Sequence, residues 1–569
     1  MKNAASFISI FALLTLTSNV TTAQSITIAV KDTTFHAIGD DFFGLQYHAD
    51  TYDDNNAIEK LKALHARRIR IWADVTEFHP SPGVWNWTEL DRKTAEVLDA
   101  GFKFILCLYQ GDAWFVGTPE NPWWNHQAAL TEWDKAAFHL TERYQNDIDR
   151  IIIFDEPNML HKEREYYIPF KQCAQLFIRA AQEIKKAKPG ALCGGPSSFG
   201  GWENGHWANY VFAEPGGDEA LDFVSCNIFL SWNADDEDET IMDRTIWYEE
   251  SAQKIKVMTS EHGAPSLLLD AYNASALWKK DGELWTDPGN VSVFGGVYQA
   301  AALLHSAKGG FEIALHWETV GGFGVLNWPP QFKELPPYHA WKFLVETAGM
   351  KAGARILDCT STESPKPEAP HHSGMNVNLY EIQPFAIERA DGGVSVILIN
   401  KYAGENHVVS VTPPLEMRKF AKFRFDAERI LDYAVPLETG ILDGAVEITC
   451  PPLSISIIRF ERQDPVGLDV ENATVPQEIE LSPSRPNPFR TTAVLDYSLT
   501  KPGQVLLTIH NILGEQVRVV VNEHQSAGKH QAAWDGRNDA GEALSSGVYY
   551  FRLHAATVKL FRKVLFLKN

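Results

Sequence analysis

R-I-I-I-F-D-E-P-N-M, residues 150–159, has four apolar residues directly before two carboxylates, a proline and an asparagine. The run Ile151–Phe154 has the length and β-branching of a parallel strand that is covered on both faces, and Pro157 prevents further ladder pairing. Asp155 and Glu156 therefore stand where a strand opens into a loop. In a (β/α)8 barrel such C-terminal strand ends carry the active site, so Glu156 is a candidate acid; the alternative is an ordinary charged loop start.

A second apolar segment, K-V-M-T-S-E-H-G-A-P at Lys256–Pro265, also ends in a carboxylate, Glu261. Glu261 follows Glu156 by 105 residues, about three βα units, so the two glutamates are predicted to end the fourth and seventh barrel strands. Glycoside hydrolysis requires two such facing carboxylates, because one is protonated to release the leaving oxygen and the other is ionised to act at the anomeric carbon. We predict a separation of about 5–5.5 Å, as in retaining enzymes.

These segments resemble a known enzyme group. D-E-P-N at 155–158 is similar to the Asn-Glu-Pro-Asn acid/base motif of the large retaining glycosidase clan of (β/α)8 barrels, glycoside hydrolase clan A, and S-E-H-G at 260–263 resembles its nucleophile strand. The arginine on the second strand, Arg70, and the G-x-x-x-W pattern at 83–87 are also similar to this clan. The resemblance implies a glycosidase in which the two motif glutamates are the acid/base and the nucleophile.

Four further segments resemble glycoside hydrolase family 39 more than other members of the clan: Y-Y-I-P-F, C-G-G-P-S-S, G-G-F-G-V-L and K-E-L-P-P-Y-H-A-W. The likeness extends roughly from Phe43 to Gly349. It implies a secreted enzyme that cleaves a β-glycoside or polysaccharide by double displacement, with a xyloside as the first expectation and with no cofactor or metal.

The rest of the chain to residue 350 fits one catalytic barrel over 41–350. Apolar runs bounded by turn residues predict its other strands. They lie at Phe42–His48, Arg68–Asp74, Phe102–Tyr109, Ala191–Ser198, Asp222–Ser231 and Phe311–His316. Helical spacing of apolar residues predicts the long helices 128–144 and 166–188.

Beyond the barrel the pattern changes to short alternating strands, which predict an antiparallel β-sandwich over 351–462. The N-terminal segment 24–40 is expected to add one or more edge strands to it. Segment 463–480 has no aromatic residue and many acidic and glutamine residues, and we interpret it as a linker.

The last segment, 481–569, closely resembles the type A C-terminal sorting domain of the bacterial type IX secretion system. Its alternating strands predict a small seven-stranded immunoglobulin-like sandwich whose core holds Trp534 and Tyr549. The resemblance implies a partner, the type IX secretion machinery, and export across an outer membrane. A generic immunoglobulin-like adhesion module is the alternative.

Composition restricts the compartment and the partners. The net charge of −22 argues against nucleic acid and against anionic membrane surfaces as partners. Residues 1–23 have the pattern of a secretory signal peptide, and no later run has the length of a transmembrane segment. Six cysteines in a chain of 569 residues form no disulfide framework, so buried thiols are expected at Cys107, Cys193 and Cys226. Together these features predict a secreted protein or one displayed on the outer-membrane surface.

The predicted substrate site comprises Asp155, Arg70, His48, Trp114, Asn227, Phe229 and Trp317, in addition to the catalytic Glu156 and Glu261. Arg70 can hydrogen-bond the nucleophile and keep it charged, although a rim ion pair is the alternative. The ring face of Trp317 can contact the apolar C–H groups of a sugar; the alternative is that Trp317 is only a packing residue. Further tryptophans fall in predicted loops on the same side: Trp123, Trp124, Trp202 and Trp232.

Three positions depart from the resembled family. Asp155 replaces an asparagine that the family uses on the sugar 2-hydroxyl, and Asn227 and Phe229 stand where the family usually has His and Tyr. The departures favour an unusual sugar in a retaining glycoside hydrolase. The rival hypothesis is a catalytically weak carbohydrate-binding protein displayed on the cell surface.

Overall fold

The chain forms two compact units, Met1–Asp464 and Pro465–Asn569. The computed structural model describes residues 26–568 apart from 50, 53, 110–116, 119–120, 158–167, 200–202, 232–235, 276–278, 281–282, 285–287, 364–378, 415, 463–478, 483, 500, 512–515 and 556–557. The predicted signal peptide, 1–23, and all but the last two residues of the predicted linker, 463–480, lie outside the described residues.

The first unit contains a closed barrel of eight parallel strands, as the sequence predicted. Most residues of these strands are buried and many of them are apolar, which is the pattern expected where helices cover a parallel sheet. In chain order, barrel strands 1 to 8 are Phe43–Gln46, Arg68–Asp74, Lys103–Tyr109, Arg150–Ile153, Leu192–Phe199, Phe223–Ser231, Ser266–Ser275 and Ile313–His316.

Helices surround the barrel because their apolar residues recur on one face. Phe170–Ala187, for example, buries Cys173, Leu176, Phe177, Ala180 and Ile184 and ends before Pro189-Gly190. The described α-helices are Asn55–Ala63, Val75–Phe78, Thr88–Asp99, Gln127–Tyr144, Phe170–Ala187, Glu203–Phe212, Gly217–Ala220, Asp238–Asp243, Trp247–Met258, Val293–Gly309 and Pro336–Phe343. Short 3-10 turns occur at Trp123–Asn125, Arg244–Ile246, Ser260–His262, Pro288–Val291 and Gly321–Phe323, and a π-turn at Leu344–Ala348.

Barrel strand 7 lies later in the chain than the sequence predicted, so the strand expected over Lys256–Pro265 is wrong. Residues 256–258 complete the helix Trp247–Met258, in which Ile255 is buried and Val257 is 67% exposed. A short apolar run of this kind fits the end of an amphipathic helix as well as a strand. The strand proper is Ser266–Ser275, S-L-L-L-D-A-Y-N-A-S.

The barrel interior has an apolar lower layer and a polar upper layer. Ile105, Cys107, Ile152, Phe223, Leu268, Ile313 and Leu315 form one buried cluster, and Trp72 packs against it. Towards the C-terminal strand ends the interior side chains become polar. Buried polar side chains also occur at the strand starts, where Arg68 and Arg150 lie. The polar side chains at the C-terminal strand ends lie at the mouth, where a (β/α)8 barrel has its active site.

A nine-stranded, mainly antiparallel sheet packs against the barrel within the first unit. Its N-terminal strand, Ile26–Ala37, pairs with Arg355–Ser361 and, in parallel, with His407–Thr412. The strands form one continuous sheet rather than two separate ones. In spatial order they are Glu438–Ile441, Met417–Phe425, Ser454–Arg462, Val394–Asn400, Ile382–Glu388, Arg355–Ser361, Ile26–Ala37, His407–Thr412 and Val446–Cys450. Two short hairpins add Gly117–Thr118 with Asn121–Pro122 and Lys279–Lys280 with Glu283–Leu284.

The second unit is a small β-structure with its own core. One sheet contains Ile479–Leu481, Ala493–Leu499 and Gly528–Trp534, and the other contains Gln516–Gln525, Gly503–His510, Gly547–Ala555 and Val558–Phe566. The rings of Trp534 and Tyr549 meet edge to face at 5.0 Å in the buried cluster, which is the core position that the sequence predicted for both.

All six cysteines are free thiols, and Cys107, Cys193 and Cys226 are buried as predicted. None of the described helices has the length and the apolar character needed to cross a membrane.

Candidate active site

The end of barrel strand 4 turns sharply into the mouth. Phe154 and Glu156 both have positive φ, 73° and 46°, which is uncommon for residues other than glycine. The Phe154 N–H donates to the Leu108 carbonyl at 3.1 Å, and the Glu156 N–H donates to the Ser197 carbonyl at 3.3 Å. Neighbouring strands thus hold a backbone conformation that non-glycine residues rarely adopt, a type of local strain that is concentrated at functional sites.

Glu156 has the properties of a proton donor. Burial and, next, the charge of Asp155 raise the pKa of Glu156 to about 7, against the opposing effects of Asn227 and Arg70. Asn227 Nδ2 donates to Glu156 Oε1 at 2.9 Å, which orients the carboxyl group. A carboxyl that keeps its proton near neutral pH is suited to general acid catalysis.

Asp155 is held by three donors from barrel strands 2 and 6, each two strands away from strand 4 around the barrel. It accepts hydrogen bonds from Trp72 Nε1 at 2.9 Å and from Asn227 Nδ2 at 3.2 Å, and its Oδ1 lies 3.1 Å from Arg70 Nη2. Asn227, which the family pattern lacks, therefore bridges the two adjacent carboxylates. The network fixes Asp155 beside Glu156, where its charge acts on the proton of the acid.

A buried arginine links this pair to a third carboxylate. Arg70, only 1% exposed, directs Nε to Asp270 Oδ1 at 3.0 Å while Nη2 contacts Asp155. The guanidinium also lies 4.4 Å from the ring centre of Trp72. Burial raises the pKa of Asp270, and the charge of Arg70 opposes that rise. The positive charge of Arg70 thus lowers the pKa of the fully buried Asp270 relative to the value that burial alone would give.

Barrel strand 7 carries Asp270, whereas Glu261 lies before this strand. Glu261 is exposed in the turn Ser260–His262, before barrel strand 7 begins, whereas Glu156 follows the end of barrel strand 4. In a parallel barrel these two positions are at opposite ends. The predicted facing pair of Glu156 and Glu261 is therefore wrong. Asp270 is the carboxylate that barrel strand 7 directs towards Arg70.

The described aromatic residues that the sequence assigned to the mouth are buried or partly buried. Trp317, after barrel strand 8, is half-buried and meets Trp72 edge to face at 5.3 Å. Phe229 is buried on barrel strand 6, and Trp123 is buried in the core. Trp124 is partly buried. Trp114, Trp202 and Trp232 lie outside the described residues.

His48, at the end of barrel strand 1, lies on the same rim. Its Nδ1 is 2.6 Å from the Ala49 carbonyl oxygen, and its ring meets the edge of Trp328 at 5.7 Å. Burial raises the pKa of Glu318, and the nearby His48 opposes that rise. Glu318 follows Trp317 directly, so this half-buried carboxyl also lies beyond barrel strand 8.

Asp270, Trp328 and Glu318 were missed from the sequence. A signal existed for Asp270, since an aspartate inside the apolar run S-L-L-L-D-A is unusual unless it is paired. No cluster of three or more His, Cys, Asp or Glu side chains suited to a metal ion occurs among the described residues.

Comparisons with known proteins agree with this architecture. Residues 490–559 match the FlgD Ig-like domain family, and no curated protein matches the chain. An α-L-arabinofuranosidase from Thermotoga maritima in an arabinose complex gives a TM-score of 0.56 at 14% identity, over 76% of this chain and 99% of that one. The GH51 arabinofuranosidase from Xanthomonas axonopodis pv. citri gives a TM-score of 0.54 at 13% identity, over 77% of this chain and 100% of that one.

A GH39 β-xylosidase from Caulobacter crescentus gives a TM-score of 0.50 at 17% identity, over 77% of this chain and 100% of that chain. At these identities the likeness concerns the fold. The first unit thus has the barrel-and-sheet fold of glycoside hydrolase structures.

Proposed function

We propose that the protein is a glycoside hydrolase in which Glu156 is the general acid/base and Asp270 is the nucleophile. The observation that carries the proposal is the network at the barrel mouth, in which Asn227 and Arg70 connect Glu156, Asp155 and Asp270. It combines a carboxyl with a raised pKa and a carboxylate paired with arginine. Enzymes that split a glycosidic bond require these two states side by side.

In the proposed double displacement, Asp270 attacks the anomeric carbon while the bond to the leaving oxygen breaks and that oxygen takes the proton of Glu156. The resulting ester joins the sugar to Asp270. Glu156, now ionised, removes a proton from water, the water oxygen bonds to the anomeric carbon, and Asp270 leaves as a carboxylate. Because Asp270 has no exposed surface, side chains above it must move when the sugar binds.

The substrate that we propose is a β-glycoside, with a β-xyloside first. The support is the resemblance to family 39 and the similar fold of a β-xylosidase. An α-L-arabinofuranoside is the next substrate to test, since three of the similar structures are arabinofuranosidases.

The second candidate function is carbohydrate binding without efficient cleavage. The complete burial of Asp270 favours it, because an anomeric carbon cannot reach a carboxylate that has no exposed surface until its cover moves. Release of a sugar distinguishes the two functions.

The test is a screen of aryl β-xyloside, β-glucoside, β-galactoside and α-L-arabinofuranoside with the purified protein. We expect phenol release from at least one glycoside, with the anomeric configuration of the first-formed sugar retained in an NMR time course. Release of the inverted anomer contradicts the nucleophile assignment. Absence of hydrolysis together with measurable glycan binding supports the binding protein instead.

The charge of Asp155 should determine where the pH–rate profile lies. It raises the pKa of Glu156 and also that of Asp270, so Asp155→Asn should move both limbs of the kcat/KM profile towards acid pH. We also expect the preference between a glucoside and its 2-deoxy analogue to change by about 1–3 kcal/mol. The reason is that the carboxylate of Asp155 only accepts hydrogen bonds, whereas the amide of asparagine also donates them.

Asp74→Asn is the matched control for that prediction. Asp74 ends barrel strand 2 and caps the helix Val75–Phe78 through the Thr76 N–H, a role that asparagine also performs. Its profile should coincide with that of the unmodified protein. If Asp155→Asn leaves the pH profile and the sugar ranking unchanged, Asp155 is not near the reacting groups.

We further propose that residues 1–23 direct export and that 481–569 is a type IX sorting domain, which would deliver the enzyme to the cell surface or the medium. Supporting this are the resemblance of the C-terminal segment and its separate compact core. Deleting Leu481–Asn569 should leave an active barrel that stays in the periplasm of a host with this secretion system. A reporter protein fused to 465–569 should gain export, and unchanged delivery of the truncated enzyme would contradict the proposal.

A further inference from the structure

One large aromatic side chain, that of Trp328, is exposed on the rim of the barrel mouth. Trp328 is 57% exposed and lies in the segment that follows barrel strand 8, on the side of the C-terminal strand ends. Trp123 and Trp317 are buried and half-buried respectively. The exposed face of Trp328 is therefore not required for the core.

The position of the Trp328 ring is fixed from below. Gly321 has φ +89°, and a Cβ there would lie 2.6 Å from Trp328 Cζ2, so the indole rests directly on the glycine backbone. The His48 ring lies in an edge arrangement with the indole, with 5.7 Å between the ring centres. A tryptophan held in this way presents a rigid flat surface to solvent.

The segment that carries Trp328 is held by backbone hydrogen bonds. Leu326 and Glu334 form an antiparallel bridge, and the Asn327 N–H donates to the Lys333 carbonyl at 2.9 Å. Lys60 reaches this segment from the first helix, where its Nζ donates to the Phe332 carbonyl at 2.7 Å. The ring is thus presented from an ordered turn.

Trp328 is continuous with the proposed active site. Barrel strand 8 leads into Trp317 and Glu318, and His48 at the end of barrel strand 1 acts on the pKa of Glu318 and touches Trp328. A row of aromatic and polar groups therefore runs from Trp72 and Trp317 outward to the rim. Flat apolar rings beside polar groups match sugar rings, whose axial C–H faces are apolar and whose edges carry hydroxyls.

We propose that Trp328 forms an outer carbohydrate subsite that binds a second or later sugar ring of an oligosaccharide whose terminal residue occupies the mouth. The proposal rests on the proposed function in taking a glycan as the ligand of the mouth. It goes further in assigning a chain of several sugars, rather than a lone glycoside, as the substrate class.

The test is calorimetric binding in the Glu156→Gln background, which prevents turnover. The probes are xylose, xylotetraose, cellotetraose and an arabinotetraose. Trp328→Ala should weaken binding of at least one tetrasaccharide by about 5- to 10-fold, the loss expected for one stacking contact, while monosaccharide binding changes less than about twofold. Trp328→Phe should restore part of the lost affinity. Phe35→Ala, which removes a 38% exposed aromatic ring on the strand Ile26–Ala37, is the control and should bind as the background protein does.

The outcomes separate this inference from the proposed catalysis. Equal loss of mono- and tetrasaccharide affinity, no loss with Trp328→Ala, or no tetrasaccharide binding at all overturns the subsite. Tetrasaccharide binding that depends on Trp328, in a protein that hydrolyses none of the aryl glycosides, supports the subsite and contradicts the catalytic proposal alone.

Discussion

Glu156→Gln should lower kcat/KM on glycosides with poor leaving groups by about 10²–10⁴-fold, the range that general acid catalysis supplies. Glutamine keeps the size of the side chain and its hydrogen bond from Asn227, but it has no proton to give to the leaving oxygen. On a dinitrophenyl glycoside, whose leaving group needs no proton, the first step should be nearly unaffected. Comparison of the two leaving groups therefore isolates proton donation from binding.

Azide provides a second measurement on the same variant. With Glu156 neutralised, azide needs no base and should attack the glycosyl ester, giving a glycosyl azide of the same anomeric configuration as the substrate. Glu261→Gln is the matched control, because Glu261 is exposed at the other end of the barrel, and its kinetics should equal those of the unmodified protein. A uniform loss of Glu156→Gln activity across leaving groups, with no azide product, would remove Glu156 from the acid role.

The fold was largely predictable because its determinants are local. Strands such as Arg68–Asp74 and Arg150–Ile153 are short apolar runs that end in turn residues, and helices such as Phe170–Ala187 repeat apolar residues at helical spacing. These patterns report burial directly. They identified the barrel, the mouth at Glu156 and the N-terminal strand as part of the large sheet, although this strand lies inside the sheet and the edge position expected for it is wrong.

Barrel strand 7 was misplaced because the local pattern there is ambiguous. The last turn of the helix Trp247–Met258 reads as a short apolar strand, and the glycine and proline after Glu261 mimic the strand-to-loop change seen after Glu156. The true strand contains a charged residue, Asp270, in its apolar run. Its partner Arg70, 200 residues away in the chain, helps to make that burial tolerable, and no local pattern reports such pairing.

The role of Asn227 was hidden for a related reason. In the sequence it was one of three departures from a family pattern, which together favoured an unusual sugar. In the structure it bridges Asp155 and Glu156, so the same residue completes the network in another way. Side-chain networks depend on the angles between strands, which amino-acid type and spacing do not specify.

Asp270→Asn should reduce kcat on every glycoside that the protein cleaves by an amount on the order of 10⁴-fold, irrespective of the leaving group, because no ester can form. Asparagine keeps the size of the side chain, and Arg70 keeps its contact with Asp155, so the barrel should fold. A thermal melt checks the fold. Asp270→Ala opens space at the same position, and added azide should then attack the anomeric carbon directly and give a glycosyl azide of inverted configuration.

Glu318→Gln decides whether Asp270 or the rim carboxyl is the nucleophile. Glu318 is half-buried beyond barrel strand 8, and the nearby imidazole is His48 rather than an arginine, so its charge is less well supported than that of Asp270. We expect Glu318→Gln to affect kcat far less than Asp270→Asn. The reverse ranking, with inverted glycosyl azide formed by Glu318→Ala and not by Asp270→Ala, would transfer the nucleophile to Glu318. In that case the buried pair of Arg70 and Asp270 would serve only to position Asp155 beside the acid.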